Sequence, residues 1–249
     1  MKPVGRALLK RVGYDLVNIS RAREDAEKRE SERWTWLRNA NVGTVLDIGA
    51  NVGGFSQWAA QTLPGTLLYS FEPIERCYIE LVKTMSNYPG FRAFNVGLSD
   101  VSGEVDFYVS EFSPSSSLLP MANLHRALFP HTSKVLTHKV EVVRLDEVAS
   151  QIVMRGKVFI KVDVQGAEAK VIDGGSVFFG RSDIVMIEVS YDALYCGQPL
   201  FAGIYSRLTG MGYQYMGNVA QFNGPVSGQP IYADALFIKT EILPDISSR

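Results

Sequence analysis

From residue 44 to residue 190, short runs of successive apolar residues alternate with stretches that are apolar only at intervals. "TVLDI", "LLYSFE", "RAFNVGL", "VFIKVDV" and "DIVMIEV" read as strands, and several are apolar on consecutive positions, as in a parallel sheet covered on both faces. Between the first three lie "FSQWAAQTL" and "ERCYIELVKTMSNY", each apolar at helical spacing. The order predicts a βαβαβ chain of the α/β class. In open α/β sheets ligands sit outside the carboxyl ends of the strands, where the strand order reverses, so the residues just after each strand carry the candidate chemistry.

The first 41 residues follow a different pattern, and the composition shifts near Trp34. Val4, Leu8, Val12 and Leu16 share one helical face, with Lys2, Arg6, Lys10 and Arg11 supplying positive charge, and "RAREDAEKRESERW" mixes charges as a solvated helix does. Residues 1–41 are therefore expected to form a charged, amphipathic helical extension. Packing on its own domain or on a partner is the favoured use of that helix, with contact to a membrane surface as the other.

Composition narrows the classes. With 249 residues, 46% of them hydrophobic, and a formal charge of -1, the chain is long enough for one large soluble domain or two small ones. No apolar run reaches the roughly 18 residues of a membrane span, and the start lacks the continuous apolar block of a secretory signal, so a cytoplasmic location is expected. Cys77 and Cys196 are too few and too isolated for a disulfide framework or metal cluster, which fits a reducing compartment. The charge balance offers no broad basic field for nucleic acid.

Two segments carry chemistry. In "TVLDIGANVGGFSQWAA", Gly49, Gly53 and Gly54 relax the backbone where a strand turns into a helix and let a ligand approach main-chain amides. Asp47, two residues before the first glycine, suits a ligand with a cationic or amine group. Glu72, at the end of the next strand in "SFEP", is placed to accept hydrogen bonds from a ribose diol. The turn fails G-x-G-x-x-G at its second glycine, where Asn51 stands; a glycine turn plus an acid would also serve NAD, which keeps a nicotinamide oxidoreductase as an alternative. In "VFIKVDVQGAEAKVIDGG", Lys161, Asp163 and Glu168 are charges in and just after an apolar strand, and burying them costs several kcal/mol unless they are paired or used. The plain structural reading pairs Lys161 with Asp163 or Glu168. The next strand ends on Glu188, so two adjacent strands deliver carboxylates to one rim. Asp163 and Glu188 can hold a magnesium ion, orient a hydroxyl or act as general base, and the residues do not separate those roles.

"VLDIGANVGGFS", "FEP", "NVGLSDVSGEVDFYV", "RLDEV", "FIKVDVQGAEAKVIDGG" and "IVMIEVS" occur in the order shown by the FkbM family of S-adenosylmethionine-dependent methyltransferases, which this chain resembles over about residues 42–239. The resemblance implies a class I methyltransferase fold, Rossmann-like, with a seven-stranded mostly parallel sheet, helices on both faces and the last strand antiparallel, in a domain at 42–240. "GYQYMG" and "YADALFIK" fit its final strand pair, with "GNVAQFNGPVSGQP" as the loop between them.

Carried over by motif, Asp47, Gly49, Asn51 and Gly53 would line the methionine part of S-adenosylmethionine and Glu72 would bind its ribose. Ser99 or Asp100 would contact the adenine, and Asp163 would lie near the methyl group with Gln165, Glu168 and Glu188 around it. Asp163, Glu188 and Glu168 are then the catalytic candidates. Catechol-type O-methyltransferases carry metal-binding acids at the ends of the fourth and fifth strands, the places of Asp163 and Glu188, so Mg2+ there is a further expectation. Family members often methylate hydroxyls of sugars and other small molecules in polysaccharide or natural-product pathways, which makes a small-molecule or saccharide acceptor the expected partner. A homo-oligomer and a non-catalytic S-adenosylmethionine-binding protein both stay open.

The insertion from Ser110 to Lys139 is the expected acceptor cover and holds His125, His131 and His138. Their spacing forms no helical metal pair, and each reads first as an ordinary loop histidine, with one of them as base the alternative. Ser115, Ser116 and Ser117 resemble the family's serine pair. Tyr191, Tyr195 and Phe201 read either as an aromatic wall for a sugar or ring, or as core.

Overall fold

The structure is a computed structural model, described for residues 34–242, and the amphipathic and charged segments expected at residues 1–33 lie outside the described residues. The chain divides into two compact units, residues 1–40 and 41–249. The described part of the first contains helix α1 (Thr35–Asn39), whose Leu37 is fully buried.

The second unit begins with β1 (Val42–Ile48), α2 (Gly54–Thr62), β2 (Leu67–Phe71), α3 (Glu75–Thr84) and β3 (Phe91–Phe94). After a second-sheet segment come β7 (Lys157–Val162), α6 (Glu168–Gly174), α7 (Ser176–Gly180), β8 (Ile184–Ser190), α8 (Phe201–Gly210), β9 (Tyr213–Asn223) and β10 (Pro230–Lys239). The main sheet has seven strands in the order β3-β2-β1-β7-β8-β10-β9. Strands β3, β2, β1, β7 and β8 pair in parallel, and β10 runs antiparallel to both neighbours. This is the class I methyltransferase arrangement expected from the motifs. The order reverses at β1, with β2 on one side and β7 on the other, so the ends of these two βα turns define the crevice.

The apolar runs form strands because both faces of the sheet are covered. All seven residues of β8 are buried, and Leu46, Ile48, Ile160, Val162, Val185 and Ile187 belong to one core with Ile172, Phe179 and Leu208 from the helices. Each such side chain contributes about 1.5–3 kcal/mol when fully buried. Against this background the charges at Asp47, Lys161 and Glu188 stand out.

Three expectations need correction. "RAFNVGL" is two strands, not one: β3 stays in the main sheet, whereas β4 (Gly97–Leu98) joins a second sheet of order β4-β6-β5, with β5 (Gly103–Ser110) and β6 (Val135–Val143). The antiparallel β5-β6 pair frames the cover, so residues 135–139, assigned to the insertion, are strand. Between the two strands lie a 3-10 turn (Ser113–Ser115), α4 (Asn123–Leu128) and a second 3-10 turn (Pro130–Thr132), and α5 (Leu145–Val148) follows β6. Finally, the long loop expected after "GYQYMG" is mostly strand: β9 runs to Asn223 and pairs with β10 through three register irregularities. Those bulges obscure the period-2 pattern on which strand reading depends.

Candidate functional site

A cavity of about 420 Å³ lies over the carboxyl ends of β1, β2 and β7. Gly49, Asn51 and Gly54 from the first turn, Glu72, Asp163, Gln165 and Lys161 line it, together with Ile48, Phe71, Leu98 and Phe107 and the cover's Ser113 and Ser116. Its lining joins apolar side chains, Phe71 and Phe107 among them, to the acids Glu72 and Asp163, which suits a ligand that carries both an aromatic base and a diol.

The glycines of the turn have different causes. Gly49 (φ 81°) needs its left-handed backbone, and a Cβ there would fall 1.9 Å from the Asp163 carbonyl oxygen, so this glycine lets two loops meet. A Cβ at Gly53 would strike Leu81 of α3, and Gly53 does not border the cavity. At Gly54 a Cβ would meet nothing within 4 Å, so the space a side chain would fill is left to the cavity.

Glu72 is pre-oriented from two sides. The Asn51 and Ile74 backbone N–H groups each donate to its carboxylate at 2.8 Å. Burial, outweighing those hydrogen bonds, pushes its pKa up to about 7. Asn51, itself at φ 48°, is held through its side chain by Ser113 of the cover at 3.2 Å.

Asp47 does not line the cavity. It is fully buried; Ser56 Oγ donates to Oδ2 at 2.7 Å, and Lys161 Nζ stands 3.4 Å from Oδ1 without hydrogen-bonding geometry. The cation that Asp47 meets is therefore the chain's own lysine. Lys161 also lies 3.5 Å from Asp163 Oδ2 and 3.3 Å from the Gly49 carbonyl oxygen. Burial lowers its pKa, but Asp163 and Asp47 more than offset this and the net shift is upward, so it stays charged. The plain structural reading paired Lys161 with Asp163 or Glu168; the structure adds Asp47 and leaves Glu168 out.

Glu168 closes the turn into α6: its Oε1 accepts the N–H groups of Val164 at 3.1 Å and Gly166 at 3.0 Å. It is buried and does not border the cavity, which places it as a loop clamp. Burial raises its pKa to about 7. Glu188 is also buried and set back from the cavity; burial first, then Asp163, Glu168 and Asp234, drive its pKa well above the ordinary 4.5. Gln165 Nε2 bridges the acids, 2.7 Å from Asp163 Oδ1 and 3.4 Å from each Glu188 oxygen. Asp234, opposite Glu188 on β10, reaches the cavity and was missed because it lies in an ordinary-looking terminal strand.

These shifts have a testable sign. Glu72 and Glu168 ionise near 7 folded and near 4.5 in the open chain, so the folded state holds their protons more tightly. The resulting stabilisation is complete below about pH 4.5 and is lost as pH rises through 7. The wild-type Tm should fall between pH 5 and pH 8, and Glu168→Gln, which keeps the accepting oxygen, should recover about 1–3 kcal/mol at pH 8 and little at pH 5. Equal effects of the substitution at both pH values would refute the assignment.

Ser99 and Asp100 stand beyond the cavity: Gly97 and Leu98 reach it, while Asp100 pairs with Lys170 at 3.1 Å and accepts from Ser99 Oγ at 3.0 Å. None of the three histidines borders the cavity. His125 is buried with its ring 5.0 Å from that of Tyr195, and His131 packs against Phe112. The aromatic wall divides: Tyr195 joins Met121, Leu194 and Ile231, whereas Tyr191 and Phe201 stack at 5.6 Å against the main core.

The cavity's features fit S-adenosylmethionine: apolar lining from Ile48, Phe71, Leu98 and Phe107, an oriented acid for the ribose, and the open space at Gly54. They do not fit a divalent cation. Among the described residues no three His, Cys, Asp or Glu side chains are grouped to hold a metal, and Asp163 already has Gln165 on one oxygen and Lys161 beside the other. No helix among the described residues is long and apolar enough to cross a membrane.

Comparison with known proteins gives the same direction. Residues 47–215 match the methyltransferase FkbM domain. The chain is 32% identical over 165 residues to the 2-O-methyltransferase NoeI of Sinorhizobium fredii, covering 64% of this chain and 68% of NoeI. It is 28% identical to the methyltransferase sdnD of Sordaria araneosa, over 52% of this chain and 59% of that one. Among solved structures, the magnesium protoporphyrin IX methyltransferase of Synechocystis with bound SAM is similar at 12% identity and a TM-score of 0.48, over 92% of this chain and 87% of that one.

Proposed function

This chain belongs to the FkbM methyltransferase family, and we propose that, as an S-adenosylmethionine-dependent methyltransferase, it methylates a hydroxyl oxygen of a saccharide or other small hydroxylated acceptor. The observation that carries the reading is the union in one cavity of Glu72, held open by two backbone amides, with Asp163, held by Gln165 and Lys161. Family membership sets aside the nicotinamide alternative. NoeI's name, a 2-O-methyltransferase, supports oxygen as the acceptor atom. A formal charge of -1 supports a small acceptor over nucleic acid, and a cytoplasmic setting is part of the same proposal.

The cofactor supplies an electrophilic methyl group on a sulfonium, ready for in-line displacement. The residues must then orient an acceptor oxygen and take its proton. Glu72 binds the ribose diol, while the Gly54 opening and the Asn51 turn accommodate the rest of the cofactor. Asp163 receives the hydroxyl proton. Gln165 fixes the direction of the Asp163 carboxylate, and the Lys161 ammonium stands beside its other oxygen. Ser116 and Leu118 of the cover also border the cavity.

Calorimetric titration with S-adenosylhomocysteine should give a 1:1 complex, with affinity falling at least about a hundredfold in Glu72→Ala. Screening hydroxylated sugars for methylation then identifies the acceptor. NADH binding in place of the homocysteine product would overturn the reading.

A further inference from the structure

Three segments distant in sequence converge on Gln165. Its backbone is left-handed (φ 57°), and the next residue, Gly166, lies under the ring of Tyr195: a Cβ there would sit 2.9 Å from Tyr195 Cβ. Ser117 Oγ of the cover donates to the Gln165 main-chain oxygen at 2.6 Å, so the backbone of this turn is tied independently of its side chain. The side chain has two unlike ends. Nε2 faces Asp163 and Glu188, and Oε1 accepts from the Tyr195 hydroxyl at 2.9 Å. Tyr195 itself is completely buried.

The chemistry of an amide makes this arrangement directional. An ionised carboxylate only accepts, so the amide must present its NH2 group to Asp163. Nothing in the shape of a glutamine side chain enforces that, because turning the amide over exchanges two groups of nearly equal size. The phenol proton breaks the tie. It has a second acceptor, the Ser115 carbonyl at 3.2 Å, but the glutamine oxygen is nearer.

We infer that Tyr195 is a positioning residue for methyl transfer: from the buried side, its hydroxyl fixes which way the Gln165 amide stands, and the amide in turn holds Asp163. The inference rests on the role proposed for Asp163. Burial and the neighbouring acids raise the phenol's own pKa, so it remains a donor throughout the working pH range. Without the hydroxyl, nothing on the buried side holds the amide oxygen away from the acids, the two orientations compete, and Asp163 spends part of its time facing an oxygen instead of a donor.

The test uses full-length protein labelled with 15N-glutamine and saturated with S-adenosylhomocysteine, the Gln165 side-chain signal being identified by its loss in Gln165→Leu. In the wild type its NH2 protons should exchange with solvent at least about tenfold more slowly than those of exposed glutamines. In Tyr195→Phe, which keeps the ring, that exchange should quicken about tenfold and kcat should fall about tenfold, the effect of one lost hydrogen bond. Affinity for S-adenosylhomocysteine should stay within about twofold and Tm within a few degrees. Adding Tyr195→Phe to Gln165→Leu should leave kcat where Gln165→Leu alone puts it.

Wild-type exchange as fast as in exposed glutamines overturns the inference, and needs only Gln165→Leu to fold, for assignment of the signal. Unchanged exchange in Tyr195→Phe, or a loss in the double variant equal to the product of the single losses, overturns it equally. If no acceptor is ever methylated while the exchange behaves as stated, the functional reading falls and the hydrogen-bonded placement of Gln165 by Tyr195 stands.

Discussion

Asp163→Asn should lower methyl transfer by about a hundred- to ten-thousandfold, the range for loss of a positioned general base, and leave S-adenosylhomocysteine affinity within about threefold of wild type. The reasoning is geometric. Asp163 borders the cavity, and its carboxylate is gripped on one oxygen by Gln165 at 2.7 Å and approached on the other by Lys161 at 3.5 Å. Asparagine keeps the shape and removes the proton-accepting charge, so an effect confined to kcat identifies chemistry and not cofactor binding. Wild-type turnover in this variant would sink the assignment of Asp163. Cofactor binding with no turnover in the wild type would instead favour a non-catalytic protein.

The fold was legible because its information is local. The run "DIVMIEV" is apolar at four successive positions, Ile184 to Ile187, as suits a strand covered on both faces, and β8 is buried throughout. The second sheet was less visible, because β5 and β6 are half-exposed and polar residues interrupt both strands. Its signal was the alternation Val105, Phe107, Val109, which only Phe107 turns into full burial.

The site was legible by residue type but not by depth. Sequence places Asp47, Asp163, Glu168 and Glu188 at strand ends, yet it does not say which carboxylate faces the cavity and which faces the protein. That depends on the partners: Ser56 and Lys161 enclose Asp47, and the Val164 and Gly166 amides consume Glu168. Asp234 escaped for the opposite reason: it sits in a segment with no motif and acquires its place opposite Glu188 only when β10 pairs with β8. Tyr195 reads in the sequence as aromatic wall or core, and its hydroxyl's partners come from distant chain, as when it meets Ser115.

Lys161→Met should destabilise the protein by about 3–5 kcal/mol, the cost of leaving a buried charge without its partner. Methionine fills much the same volume, so packing contributes little to that loss. The ammonium is what holds three oxygens together: Asp47 Oδ1 at 3.4 Å, Asp163 Oδ2 at 3.5 Å and the Gly49 carbonyl at 3.3 Å. Asp47 is the most dependent of the three, because it is fully buried and Oδ1 has no hydrogen-bond donor, whereas Asp163 keeps Gln165. Urea denaturation reads this dependence: Asp47→Asn, added to Lys161→Met, should restore roughly half of the lost stability or more, since the amide carries no charge to bury. A loss below about 1 kcal/mol, or no recovery with Asp47→Asn, would show that the lysine's charge is not what holds the turn at β1 to the turn at β7.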